Sequence, residues 1–179
     1  MAEQAREDRA AWWRTALWTV PLIVGLGTLS GILSNSGFGN PWFDALEKPS
    51  FMPPGWTFGL AWTTLYTMLG LALALVLNEP ASRERTGALL IFATQLMLNF
   101  AWSPIFFAAH DITTARSVIV AMLILAAVAA GKFRRLRPLA GWLLVPYLMW
   151  LIFAAALTDQ IGRLNPGAGE SLLLTLTGG

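Results

Sequence analysis

Three sets of side chains recur at helical spacing and could together recognise a ligand. Phe58, Trp62, Tyr66 and Leu69 share one helix face. Gln95, Asn99, Trp102 and Phe106 share a second, and Pro146, Trp150, Phe153, Ala154 and Leu157 a third. Indole and phenyl rings present flat apolar surfaces. The two amides and the Tyr66 hydroxyl are polar handles of the kind that orient a bound molecule. The chemistry these residues suit is non-covalent recognition of something flat and apolar. The same spacing also serves plain core packing, and Gln95 and Asn99 equally suit interhelical hydrogen bonds. Residue types alone leave both readings open.

Other chemistries have no comparable set. The chain lacks H-E-x-x-H, a P-loop and G-x-S-x-G. No carboxylate pair lies within an apolar run, where a proton relay would need one. Cysteine is absent and His110 is the single histidine, so neither a thiolate metal site nor a multi-histidine cluster is available. No metal site is expected. His110, in a turn beside Asp111, reads as solvated.

The segment from Trp42 to Tyr66 is the densest in aromatic residues and proline. Pro49, Pro53 and Pro54 each lack an N–H and fix φ, which denies the loop a regular helix. Residues before proline are pushed to extended geometry. Yet Trp42, Phe43, Phe51, Met52, Trp56 and Phe58 carry too much apolar surface for a solvated linker. A stiff aromatic loop of this kind suits a lid, with Trp42, Lys48, Pro53 and Pro54 as its candidate residues. Asp44 and Glu47 suit a surface pair with Lys48.

These residues need a scaffold, and composition names it. Of 179 residues, 56% are hydrophobic and 12% charged, against about 25% charged in a soluble domain. Five apolar runs approach the roughly 20 residues a membrane-spanning helix needs. They are Ala16 to Ser34, Phe58 to Leu77, Ala88 to Phe107, Thr113 to Gly131, and Trp142 to Leu157. Backbone groups in lipid must be satisfied internally, so the expected fold is an all-α membrane bundle of five transmembrane helices. The first run is long for a signal-peptide core, and Ser34 to Ser36 lacks an A-x-A cleavage pattern. Residues 1–11 read as a polar amino-terminal extension, 12–165 as the membrane domain, and 166–179 as a surface or disordered tail. A net charge of +2 is too weak for a nucleic-acid footprint, so no nucleic-acid partner is expected.

Lysine and arginine sort unevenly between the two ends of the spans. Arg6, Arg9, Arg14, Arg83, Arg85, Lys132, Arg134, Arg135 and Arg137 lie on one side, and Lys48, Arg116 and Arg163 on the other. The positive-inside rule then puts the amino terminus in the cytoplasm and the proline-rich loop outside, taking the membrane to be a bacterial one. The sequence does not choose between inner and outer membranes. The basic loop 132–138 also suits contact with anionic lipid.

The run W42-x-x-L46-x-K48-P49-S50-x-x-P53-P54-x-x-x-F58-x-x-x-W62-x-x-L65-Y66 resembles the signature of the TspO/MBR family. This family comprises the bacterial tryptophan-rich sensory proteins and the mitochondrial translocator protein. Two further blocks agree: Q95-L-x-L-N99-x-x-W102-S-P-x-F-F107, and P146-Y147-L-x-W150-x-x-F153-A154-x-x-L157. The resemblance implies a five-helix bundle, usually a homodimer, with the first loop capping a pocket. In the family that pocket takes porphyrins such as protoporphyrin IX, benzodiazepine-site ligands and, in some members, sterols. Carried over by motif position, the ligand-binding residues are Phe43, Trp62, Tyr66, Asn99, Trp102, Trp150 and Ala154. Trp62 and Trp150 stand at tryptophans linked in bacterial relatives to light-dependent porphyrin breakdown.

Three positions depart from the pattern. Phe51 stands where Trp is frequent, Phe43 where Tyr is common, and Thr158 where Asn is frequent. The tyrosine-centred sterol motif is missing between Leu157 and Arg163, which counts against sterol. The expectation is thus a membrane receptor or regulator that binds a tetrapyrrole and has no obligatory cofactor. The porphyrin carboxylates would meet Lys48 or backbone N–H groups at the lid. Transport of tetrapyrrole intermediates ranks second and light-dependent degradation third. Ala101 and Ala108 are candidate dimer contacts.

Overall fold

The computed structural model describes residues 11–169. Expectations for the extension before residue 11, including Arg6 and Arg9, and for the tail after residue 169 lie outside that range. Seven α-helices follow in order: α1 Trp12–Leu33, α2 Pro41–Ala45, α3 Gly55–Leu77, α4 Arg83–Ser103, α5 Ile112–Leu136, α6 Pro138–Leu143 and α7 Val145–Leu164. A π-helical turn, Pro104–Ala108, extends α4. The described helices supply five spans of 22 to 27 residues, long and apolar enough to cross a membrane. The protein is an integral, multi-pass membrane protein.

Caps start the helices where the sequence supplies them. The Ser82 side chain accepts from Arg85 N, and Asp111 accepts from Thr114 N. The third and fourth spans run beyond their apolar runs, because the polar ends Arg83 to Gly87 and Lys132 to Leu136 remain helical. The fifth span begins at Pro138, the proline that closes the basic segment 132–138, and breaks at Leu144 into α6 and α7. Pro146 explains the break. It has no N–H to give to Trp142, four residues back, and its ring crowds that carbonyl.

Pro104 has a similar effect on the third span. It cannot donate to the Phe100 carbonyl, and Ser30 Oγ of α1 donates there instead. The chain then closes a wider turn, in which Ala109 N bonds to Pro104 O.

Small residues set the closest helix contacts. A Cβ at Gly70 of α3 would stand 2.6 Å from Val20 Cα of α1. Beside it, Thr19 Oγ1 donates to Gly70 O at 2.9 Å. The core below the lid holds Leu69, Leu75, Phe92, Met122, Phe133 and Tyr147, with Phe92 stacked on Phe133 at 5.1 Å.

Charges collect at the two ends of the bundle, as the counting of basic residues anticipates. At one end Arg137 pairs with the buried Glu79 carboxylate at 3.0 Å, and the Arg85 guanidinium donates to the Leu77 and Glu79 carbonyls. At the other, Asp159 pairs with both Arg116 and Arg163.

Candidate functional site

The upper half of the bundle encloses a cavity of about 690 Å³, within the roughly 300–1,000 Å³ of small-molecule sites. All seven residues carried over by motif line it: Phe43, Trp62, Tyr66, Asn99, Trp102, Trp150 and Ala154. They come from four places. Phe43 descends from the loop, and Trp62 and Tyr66 from α3. Asn99 and Trp102 belong to α4, and Trp150 and Ala154 to α7.

Rings dominate the walls. Trp62 stacks on Tyr66 at 5.2 Å and meets Trp150 edge to face at 6.2 Å. Phe58 and Phe153 flank Trp150 at 5.9 and 5.4 Å. Trp102 stacks on Phe106 at 5.1 Å, and its indole N–H donates to Ala115 O at 3.1 Å.

The polar groups form one relay across three helices. Tyr66 Oη donates to Asn99 Oδ1 at 2.7 Å, and Asn99 Nδ2 donates to Tyr147 Oη at 2.9 Å. Tyr147 Oη then donates to Gln95 Oε1 at 2.9 Å. Expected partners for the buried amides are thus found within the bundle. Two buried donors near this relay lack an acceptor among the described residues, Gln95 Nε2 and Trp150 Nε1. Buried polar groups are normally satisfied. Trp150 lines the cavity, so its indole N–H is the donor best suited to a ligand acceptor.

Several lining residues lie outside the three motifs. Gly27 and Gly31 of α1 contribute backbone, and Ile119 and Met122 of α5 contribute ordinary core side chains. Gly27 is required sterically, because a Cβ there would stand 2.1 Å from Tyr66 Cε2. Tyr147 sits inside a quoted motif, yet its role appears only once Asn99 and Gln95 are placed beside it.

The loop covers the cavity, but not with all the lid residues expected. Phe38, Phe43 and Met52 reach the cavity, whereas Trp42, Lys48, Pro53 and Pro54 do not line it. Pro53 and Pro54 set the extended approach to α3, with Pro54 as its cap residue. Lys48 makes no ion pair with Asp44 or Glu47 and is not free to meet a carboxylate. Its ammonium donates to the carbonyls of Phe43, Asp44 and Leu46 at 2.8, 3.1 and 3.0 Å. It also lies 4.9 Å above the Phe43 ring. The cation is a clip that folds the loop upon itself. Asp44 instead accepts from Gly39 N at 3.0 Å.

Further bonds tie the loop to the far end of the chain. Glu47 N donates to Asn165 Oδ1 at 2.8 Å, and Asn165 Nδ2 donates to Glu47 O at 2.9 Å. Trp42 Nε1 donates to Ala168 O at 3.2 Å. Residues 166–168, expected as part of a loose tail, therefore start by packing on the lid. His110 is exposed, as expected, and also stacks on the Trp42 ring at 4.3 Å from a left-handed backbone of φ 57°. Among the described residues no group of three His, Cys, Asp or Glu could hold a metal ion.

Comparison with known proteins agrees with this geometry. The chain is 40% identical over 124 residues to the tryptophan-rich sensory protein of Cereibacter sphaeroides, covering 69% of this chain and 77% of that protein. It is 39% identical over 145 residues to the translocator protein of Sus scrofa, covering 78% and 86%. It is 36% identical over 127 residues to protein CrtK of Rhodobacter capsulatus, covering 70% and 79%. A match to the TspO/MBR family spans residues 18–164, nearly all of the described bundle. With the three motifs converging on one roofed cavity, the chain belongs to the TspO/MBR family.

Proposed function

We propose that this protein is a membrane receptor or regulator that binds a porphyrin, with protoporphyrin IX as the probe of choice. The observation that carries the reading is the pairing of Trp62 and Trp150 at 6.2 Å on the wall of a cavity of about 690 Å³. A flat conjugated ring suits offset or edge contacts with these indoles. Protoporphyrin IX carries no metal and so asks for no axial residue, which suits a cavity that no histidine lines. Its polar edge would meet Trp150 Nε1–H and the Tyr66–Asn99 pair. The names of the relatives, sensory protein and translocator protein, fit a receptor that responds to a membrane-borne ligand. The protein acts in this reading as a homodimer in a bacterial membrane, with its amino terminus in the cytoplasm.

Titrating protoporphyrin IX against purified protein and following tryptophan quenching tests the reading. We expect saturable binding, and at least about a tenfold weaker Kd, near 1.4 kcal/mol, in a Trp62→Ala, Trp150→Ala double variant. Equal affinity in the double variant would overturn it.

One observation favours a second reading, light-dependent porphyrin degradation: two indoles in contact on the cavity wall could both reach the same ligand. Illuminating the complex in oxygen and recording the product spectrum separates the two. A wild-type product spectrum that vanishes in each single tryptophan variant would favour degradation.

A further inference from the structure

A second concavity lies on the outer flank of the bundle. It holds about 410 Å³ and sits between α3 and α7. Ala61, Thr64, Leu65 and Met68 line it from α3, and Pro146, Met149, Trp150 and Phe153 from α7. The spacing i, i+3, i+4, i+7 recurs on both helices, so each turns one coherent stripe to the groove. Thr64 Oγ1 is spent on Leu60 O, which leaves the groove no polar hook from the threonine. Met149 is 67% exposed at its rim. Both helices are membrane spans, so this groove faces acyl chains.

Trp150 lines both this groove and the inner cavity. Its ring is the partition between them. What holds it differs from what holds two other indoles of the site. Trp42 and Trp102 are anchored by their N–H groups to backbone carbonyls. Trp150 Nε1 has no acceptor among the described residues. Packing alone positions it, through its ring contacts with Phe58, Trp62 and Phe153 and its place against the buried core. Turning the side chain therefore breaks no hydrogen bond. Raising the lid, by contrast, breaks the paired Glu47–Asn165 bonds and the Trp42–Ala168 bond.

We propose that Trp150 is a side door between α3 and α7, whose rotation joins the inner cavity to the bilayer-facing groove and lets apolar ligands exchange with the membrane. In the closed position the indole completes the aromatic wall. In the open position it lies in the groove against acyl chains, and the cavity gains an arm suited to an aliphatic substituent. The cavity also approaches the surface between α1 and α3, where the exposed residues Thr28, Ile32, Gly59 and Thr63 line it. That flank is the competing route.

The motion itself is read without any ligand. Protein labelled with 5-fluorotryptophan is placed in lipid nanodiscs, and Trp150→Phe assigns the resonance. Wild type is expected to show a second Trp150 state in exchange with the first. Ala61→Phe, and the milder Ala61→Leu, fill the groove from a position that does not line the cavity, and should abolish that state. A single Trp150 state in wild type, or a second state that survives both substitutions, overturns the proposal.

The role in exchange rests on the porphyrin reading and is measured separately. With protoporphyrin IX delivered from vesicles, Ala61→Phe should slow association and dissociation together by about fivefold, as expected of a gating step, and leave Kd unchanged. Unchanged rates in Ala61→Phe alongside slowed rates in Ile32→Trp would assign exchange to the α1–α3 flank and overturn the door. Failure of protoporphyrin IX to bind at all would overturn the porphyrin reading alone, since the fluorine measurement stands without it.

Discussion

The Tyr147 hydroxyl donates to Gln95 Oε1 at 2.9 Å in the middle of the bundle, although neither residue lines the cavity. The bond matters because Tyr147 Oη also accepts from Asn99, which does line it. Tyr147→Phe therefore strips an acceptor from Asn99 and a donor from Gln95 in one step. Hydrogen bonds between spans contribute modestly, and stranded polar groups cost more. We expect a loss of about 1–2 kcal/mol, read as a lower Tm in nanodiscs. Phe fills the same ring volume, so a larger loss would point to a packing role beyond the hydroxyl.

Gly27 and Gly25 make a matched pair on α1. A methyl at Gly27 would meet Tyr66 at 2.1 Å, whereas one at Gly25 meets nothing within 4 Å. Gly27→Ala must push the Tyr66 ring and strain its bond to Asn99, costing about 1–3 kcal/mol as overpacking does. Gly25→Ala should be neutral or stabilising by up to about 1 kcal/mol, the usual helix preference. Thermal unfolding of the two variants side by side checks the contrast. Equal Tm values would mean that α1 and α3 separate easily.

Lys48 makes a prediction about ligand chemistry. Its ammonium is engaged by three carbonyls of the loop. Lys48→Met should loosen the lid and speed its cleavage by a protease. It should weaken protoporphyrin IX and its uncharged dimethyl ester by the same factor, because the cation does not meet the propionates. A selective loss for the acid form would show that Lys48 reaches the ligand after all.

Asn165 should report on the lid independently. Asn165→Ala removes both bonds to the Glu47 backbone and should raise lid proteolysis while leaving global stability, read by thermal unfolding, within about 1 kcal/mol of wild type, since exposed hydrogen bonds contribute little. Unaltered cleavage would mean that the Trp42–Ala168 bond holds the lid by itself.

Much of the site was legible because three helices carry aromatic or amide side chains at i, i+4. Such a pattern fixes a face, and Trp62, Asn99 and Trp150 converge where their faces meet. The spacing of Gly27 and Gly31 marks a thin face on α1 that permits close approach, but the sequence does not say which ring lies against a glycine. Lys48 was misread for a related reason. A lysine beside two acids suggests ion pairs, yet the short loop turns its own carbonyls toward the cation. The breaks at Pro104 and Pro146 stand in the sequence as prolines. Their consequences depend on which neighbour takes the freed carbonyl, as Ser30 does for Phe100.

The roof of the cavity is stitched to Asn165 and Ala168, more than 100 residues downstream of the loop it secures. During synthesis and insertion the first four spans hold the loop through the Asn40–Phe107 bond and the contacts of Phe43 with Phe106 and Phe107. The downstream latch waits for the last span to be threaded into the bilayer. An interrupted chain that stops before residue 165 would keep its upper walls and lose that latch.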